Sequence, residues 1–283
     1  MYVIAGVTGH VGSFVASELL GRKQKIKVIV RDAAKGARWA QQGAEVAVGS
    51  LEDAAFLTGV LRGAQGFFTL LPPDFAPPDF FGAQCRKADA IAAAVKSAGT
   101  PHVVILSSVG ADLPAGTGPI KGLHYLENVL RATGTKLTAI RAGFFQENVG
   151  ETLRAARTGG IVPTFAPADA AMPMIATRDI GTVAAQALLA GPKDEIVDVH
   201  GPAYSMRQVA EKLGAALGKT LPLVEIPREN WVGALTQAGL PRHAAEVFAE
   251  MYAAFGTGNI RPCGDRMVQG KTTLDETLKT LLG

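Results

Sequence analysis

Through its first 140 residues the chain alternates between two patterns. Short runs are apolar at nearly every position, and between them lie stretches whose apolar positions return every three or four residues. The continuous runs YVIAGV (2–7), KIKVIV (25–30), AEVAV (44–48), GFFTLL (66–71), HVVILSS (102–108) and KLTAI (136–140) predict six buried strands. The first intervening stretch, 10–20, puts Val11, Phe14, Val15 and Leu19 on one helical face. Further helices are expected over 33–42 (closed by Gly43), 51–61, 79–99 and 121–130. A strand that is apolar throughout must be covered on both sides. Strict strand–helix alternation therefore predicts a parallel sheet with helices on both faces, and right-handed crossovers make it a doubly wound α/β fold of the Rossmann kind.

After Arg141 the rhythm changes. Helices are expected over 147–160, ending at Gly159-Gly160, and over 177–191, with Thr177 as N-cap and Gly191-Pro192 as the stop. A strand follows at 195–201, then a helix at 205–218 capped by Ser205, a short strand at 223–226, and helices at 229–239, 242–256 and 272–282. No linker separates these parts. The expected organisation is a dinucleotide-binding core from 1–143 and 176–200, with a smaller C-terminal α/β lobe on the substrate side from 144–175 and 201–283.

Composition narrows the function classes. The chain has 283 residues, 48% hydrophobic and 19% charged, which suits a packed fold and leaves little room for disorder. Lys and Arg number 28 against 25 Asp and Glu, a balance too mild and too dispersed for a nucleic-acid surface. Cys85 and Cys263 are far apart and lack metal-ligand spacing, so reduced thiols, a cytoplasmic location and no metal are expected. The opening MYVIAGV carries no basic segment before an apolar stretch, and no run is long enough to span a membrane. Neither a signal peptide nor membrane association is expected.

The loop GVTGHVG places Gly6, Gly9 and Gly12 between the first strand and the first helix. Gly6 permits the tight turn, Gly9 lets backbone approach a pyrophosphate, and Gly12 lets helix and strand pack closely. The helix start offers N–H groups and a positive dipole end to the phosphates. The second strand ends VIVRD. A site for NADH would place a carboxylate there for the ribose 2′-OH, but Arg31 holds the position and Lys35 follows four residues on. A guanidinium suits a 2′-phosphate, so NADPH is expected in preference to NADH. Asp32 is expected to cap the next helix.

The G-x-x-G-x-x-G spacing resembles the short-chain dehydrogenase/reductase superfamily. With VIVRD, LLPPD, ILSSVGA, IRAGFFQENV and TRDIGTVAAQALL, and with VGALTQAGLP and GKTTLDETLKTLL further on, the chain resembles the NmrA-like atypical short-chain reductases nearly end to end. That family includes NADPH-dependent quinone reductases, reductases of triphenylmethane or azo dyes, and non-catalytic NADP-sensing regulators. The resemblance implies that Thr8, Gly9, His10, Val11 and Gly12 contact the pyrophosphate, and that Arg31 and Lys35 contact the 2′-phosphate. Leu70, Leu71 and Pro72 would line the ribose and adenine side. Ser107 and Ser108 would end the fifth strand beside the nicotinamide, and Gly143, Phe144, Phe145 and Asn148 would border the ring and the substrate pocket. Two positions depart from the pattern. Ser50 stands where many relatives carry Asp, which leaves adenine contact to the Ser50-Leu51 backbone. Lys121 precedes Glu127 by six residues where some relatives have four.

The usual proton donor is missing. The tyrosines are Tyr2, Tyr125, Tyr204 and Tyr252, followed four residues later by Gly6, Val129, Gln208 and Gly256, so no Tyr-x-x-x-Lys exists. An alkoxide needs that proton, which disfavours simple ketones. A quinone accepts hydride to give a phenolate whose conjugate acid lies near pKa ~10, and a triphenylmethane cation needs no proton on the accepting carbon. Lys121 and His124, three apart, remain as candidate donors or oxyanion stabilisers. The alternative is a solvated cation at a helix start beside a partly buried histidine. Ser107 and Ser108 either touch ligand or satisfy local backbone. Phe144, Phe145, Met172 and Met174 either wall an apolar pocket or pack between the lobes. The favoured function is hydride transfer from NADPH to a quinone-like or other small aromatic or conjugated acceptor, without a Tyr-x-x-x-Lys dyad, by a monomer or homodimer. The alternatives are a dye reductase and a redox sensor acting through a protein partner.

Overall fold

Apolar strands seek a place inside a sheet, and in the computed structural model, which describes residues 1–283, they occupy one. The six expected strands are β1 (Tyr2–Ile4), β2 (Ile26–Val30), β3 (Glu45–Val48), β4 (Gly66–Thr69), β5 (His102–Ser108) and β6 (Lys136–Ala142). In the second half come the short β7 (Phe144–Phe145), β8 (Val162–Thr164) and β9 (Met172–Ile175). They are followed by β10 (Glu195–His200), β11 (Ala203–Tyr204), β12 (Leu223–Glu225) and β13 (Arg266–Gln269). Eight of them form one wholly parallel sheet in the order β13-β10-β6-β5-β4-β1-β2-β3. The chain works outward in one direction from β1 to β3, then crosses to β4 and works outward in the other. Tyr2 pairs with Ile26 on one side and Gly66 on the other. The crevice beyond the carboxyl ends of β1 and β4 is where an open α/β sheet receives a ligand.

The helices of the first half are α1 (His10–Gly21), α2 (Ala33–Gln41), α3 (Ala54–Leu61), α4 (Phe80–Ala98) and α5 (Ile120–Arg131). Those of the second are α6 (Val149–Arg154), α7 (Thr177–Ala190), α8 (Met206–Leu217), α9 (Trp231–Gln237), α10 (Arg242–Phe255) and α11 (Leu274–Leu282). Val11, Val15, Leu19, Trp39, Ile180 and Leu188 cover one face of the sheet from α1, α2 and α7. Leu57, Leu61, Ile91, Val95, Leu126 and Leu130 cover the other from α3, α4 and α5. A third apolar cluster, including Val149, Val162, Met174, Tyr204, Val209 and Leu278, is the core of the smaller lobe. Its strands form a three-stranded sheet, β11-β9-β7, and the pair β12-β8.

Helix starts follow their side chains. Asp32, Asp53 and Asp79 accept from the backbone of Ala34, Phe56 and Gly82. Ser205 with Gln208 and Thr273 with Glu276 form reciprocal capping boxes. Thr177 departs from expectation. It is the first helical residue of α7, and the Glu147 carboxylate caps the helix by accepting from its amide at 2.9 and 3.0 Å and from its hydroxyl at 2.6 Å. The helix expected over 147–160 is broken into a 3-10 turn at Gln146–Asn148, α6 and a π turn at Ala155–Gly159, closed by left-handed Gly160 (φ 66°). Residues 266–269, expected in the smaller lobe, instead complete the main sheet beside β10. No helix is long and apolar enough to cross a membrane.

Candidate functional site

The loop between β1 and α1 turns on Gly6, which sits at φ 71° and would drive a side chain into Leu70 at the end of β4. Gly12 is buried, and a Cβ there would collide with the Gly6 carbonyl and lie 2.7 Å from the Ala5 oxygen, so helix and strand meet backbone to backbone. Gly9 is different. A Cβ would come no nearer than 3.5 Å to any protein atom, so nothing inside the protein demands glycine there. What a side chain at Gly9 would fill is the exposed space in front of α1. Gly9 is also the N-cap of α1 and offers no side-chain oxygen to the first helical amides, and the first turn carries no acidic residue. Open amides, a positive dipole end and a cradle shaped by a missing side chain fit a pyrophosphate. Thr8 and His10 are exposed along this edge, and Val11 turns inward.

Arg31 and Lys35 lie at the neighbouring strand end, both exposed and neither in an ion pair or side-chain hydrogen bond with protein. Asp32 caps α2 and forms no ion pair with either cation. Arg38, which the sequence reading passed over, crosses from α2 to donate to the Val7 carbonyl of the glycine loop at 2.9 Å. Ser50 accepts from the Glu52 amide at 3.1 Å, which fixes the turn after β3, while Leu51 packs against the sheet. After β4, Leu70 packs beside the glycine loop, Leu71 is buried and Pro72 is half-buried.

At the end of β5 the structure separates the two serines. Ser108 donates to the adjoining Val109 carbonyl at 3.0 Å and so satisfies local backbone. Ser107, 3% exposed, donates to Glu127 Oε1 at 2.7 Å. That spends its proton inside the fold. Glu127 is the hub of a buried network. Arg141 reaches both of its oxygens, at 3.0 and 2.9 Å, Arg131 adds a bond at 2.9 Å, and Arg141 also approaches Cys263 Sγ at 3.2 Å and Asp112 at 3.7 Å. Burial works against the Arg141 charge, but the Glu127 hydrogen bonds and charge outweigh it and hold the guanidinium above its ordinary value. This network was not legible from the sequence. Ser107, Glu127 and Arg141 come from β5, α5 and β6, and only the apolar surroundings of each charge hinted at a partner.

Lys121 and His124 are not brought together. Lys121 stands 4.0 Å over the Phe81 ring on the side of α5 that faces α4. His124 contacts the Ala111 carbonyl through Nδ1 at 2.8 Å and Asn128 through Nε2 at 2.9 Å. A carbonyl only accepts, so Nδ1 carries the hydrogen, and both ring nitrogens are used within the fold. Three residues apart on α5, the two side chains find different neighbours. Tyr125 donates to Asp89 at 2.9 Å, which raises its pKa, and it too points at α4.

Beyond β6, Gly143 lies beside His200, with 3.5 Å between its Cβ position and Nδ1. Phe145 packs on the main core and Phe144 on the lobe core, so the two rings straddle the junction. Asn148 is half-buried in the turn that follows. Met172 is also half-buried, but Met174 is fully enclosed in the lobe core, where close packing on β9 leaves it no open cavity to line. The residues after Phe145 tie the smaller lobe together and fasten it to α7. Gln146 donates to the Met174 and Thr272 carbonyls and accepts from Thr277, and Asp179 on α7 accepts from the Thr272 amide and hydroxyl.

Helix α10 forms a roof over this edge. Its His243 meets the Phe75 carbonyl of the proline-rich loop at 3.0 Å, Phe248 packs edge-on against Phe75, and Val247 and Met251 lie against Gly118 before α5. On its lobe side Tyr252 stacks on Phe165 at 4.8 Å with Trp231 edge-on, and burial, reinforced by Glu151, pushes its hydroxyl up to about 12. A cavity of about 420 Å³ opens between the loop after β5 and the segment after α10, lined by Asp112, Leu113, Ala115, Asn259, Ile260 and Arg261.

Comparison with known proteins agrees with this geometry. The model of the NmrA-like family matches residues 2–280. The chain is 32% identical over 258 residues to the NAD(P)H azoreductase of Xenophilus azovorans, covering 89% of this chain and 86% of that one. It is 26% identical over 268 residues to quinone oxidoreductase 2 of Escherichia coli K12, covering 92% and 90%. Among solved structures, the triphenylmethane reductase of Citrobacter sp. complexed with NADP(H) superposes with a TM-score of 0.83 at 22% identity, covering 99% of each chain.

Proposed function

The chain belongs to the NmrA-like family, and from that premise we infer that it is an NAD(P)H-dependent oxidoreductase of the quinone-, azo- or triphenylmethane-reductase kind, preferring NADPH. The observation that carries the coenzyme half is the glycine loop in its setting: an uncapped helix start without carboxylates, beside the unpaired Arg31 and Lys35. The amides from His10 to Gly12 would hold the pyrophosphate in the space left by Gly9, Arg31 and Lys35 the 2′-phosphate, and Leu70 to Pro72 the ribose and adenine edge. Ser50 and Leu51 would present backbone to the adenine. NADPH supplies a hydride when bound.

On the acceptor side the chain's residues position and exclude water. Phe144, Phe145, Asn148 and Met172 would form the wall against which a flat conjugated acceptor lies. The candidate proton donors are engaged within the fold. Lys121, His124, Ser107 and Tyr125 have partners elsewhere, and Tyr252 keeps its proton throughout the neutral range. This favours acceptors whose reduced form survives until water protonates it, and a quinone or a dye cation meets that condition. The test is to mix the purified protein with NADPH and a panel of quinones, azo dyes and triphenylmethane dyes and follow the coenzyme absorbance. Turnover with at least one class is expected. Tight coenzyme binding with no turnover on any of them would overturn the enzyme reading in favour of a redox sensor.

A further inference from the structure

Arg38 is held at two points. One terminal nitrogen donates to the Val7 carbonyl at 2.9 Å, and the guanidinium carbon stands 4.6 Å over the ring of Trp39, itself buried in the core beneath α2. Val7 lies between Gly6, in its left-handed conformation, and Thr8, which is exposed. The loop's own bond closes from the Gly9 amide to the Gly6 carbonyl at 2.9 Å. The Arg38 bond is the only one reaching Val7 or Thr8 from another element. An arginine can do both tasks at once, because its planar fork stacks on an indole while one edge donates. A lysine ammonium has no planar fork to lay on the indole.

We propose that Arg38 is a positioning residue for coenzyme binding: it fixes the glycine loop through Val7 and so sets the affinity for the pyrophosphate, the part that NADPH and NADH share. This rests on the oxidoreductase reading above. Arg31 and Lys35 lie in the same quarter of the molecule but would read the 2′-phosphate, which only NADPH carries. Holding the loop before the ligand arrives removes an ordering cost that would otherwise be set against binding. The two kinds of cation therefore have separable signatures.

The experiment is calorimetric titration without an acceptor, using NADPH, NADH and 2′-AMP, which has a 2′-phosphate but no pyrophosphate. The wild type is compared with Arg38→Ala, Arg38→Lys and Arg31→Ala. Arg38→Ala should weaken NADPH and NADH by the same factor, about fivefold for one lost hydrogen bond, and leave 2′-AMP unchanged. Arg38→Lys should fail to restore either. Arg31→Ala should weaken NADPH and 2′-AMP and spare NADH. Loss confined to NADPH and 2′-AMP in Arg38→Ala would make Arg38 a phosphate ligand and overturn the proposal, as would unchanged affinities or full rescue by lysine. A wild type that binds neither coenzyme would overturn the oxidoreductase reading itself, and this proposal with it.

Discussion

Glu127 shows what a single residue does in this fold. It is 1% exposed, yet it carries Ser107, Arg131 and Arg141. Replacing it by glutamine keeps its shape but leaves the buried Arg141 charge with only Asp112, at 3.7 Å, as counter-charge. Glu127→Gln should cost about 3 kcal/mol, seen as a lower urea midpoint at unchanged slope. The double variant Glu127→Leu with Arg141→Met should recover most of that loss, because both charges leave together. At this scale the sequence was legible where the cause is local. Asp32 caps the helix that follows it, and Gly6 and Gly12 sit where backbone must come close. It was not legible for Ser107, whose partner lies 20 residues on in another element, nor for Lys121, whose neighbour Phe81 is on α4.

Among the elements, β13 is the one with a pH-dependent hold. It pairs only with β10, at the edge of the main sheet, and Arg266 on it binds Glu195 on β10 at 3.0 and 3.1 Å. The Arg266 hydrogen bonds, with help from Lys193 and against the cost of burial, depress the Glu195 carboxyl from 4.5 to about 2. A depressed carboxyl contributes stability above its unfolded value and loses it as pH falls toward its folded value. Glu195→Gln should therefore destabilise the protein at neutral pH, and the gap from wild type should close between about pH 5 and pH 2 in acid-titrated thermal melts. The periodicity of 2 and 3.6 made the long elements visible in the sequence. The short strands β7, β8, β9, β11 and β13 were missed because two to four residues carry too little pattern, and their pairing is decided by what they lie against. Thr177 has the residue type of a cap, yet Glu147, 30 residues away, performs the task.

For the whole molecule the division into a dinucleotide core and a smaller lobe remains our proposal. The contacts between its parts include Glu147 with Thr177 and Asp179 with Thr272. A coenzyme lying along the sheet edge under α10 would bind only the folded, closed arrangement. NADPH at about a hundred times its dissociation constant should add about 2.7 kcal/mol of stability, read as a rise in the melting midpoint that NADH at the same concentration does not match. The alternation of the first half announced the parallel sheet. The roof made by α10 was not announced, because its contacts with Phe75 and Gly118 join distant stretches. The place of β13 has a consequence for biosynthesis. Its pairing with β10 spans about seventy residues of chain, and Thr272 and Thr277 close the ties to Gln146 and Asp179. While the ribosome still holds these last residues, β10 presents a bare, parallel edge of the kind that draws other strands. Nascent chains should therefore be most prone to aggregate, and most in need of a chaperone, in the interval between the emergence of residue 200 and that of residue 277.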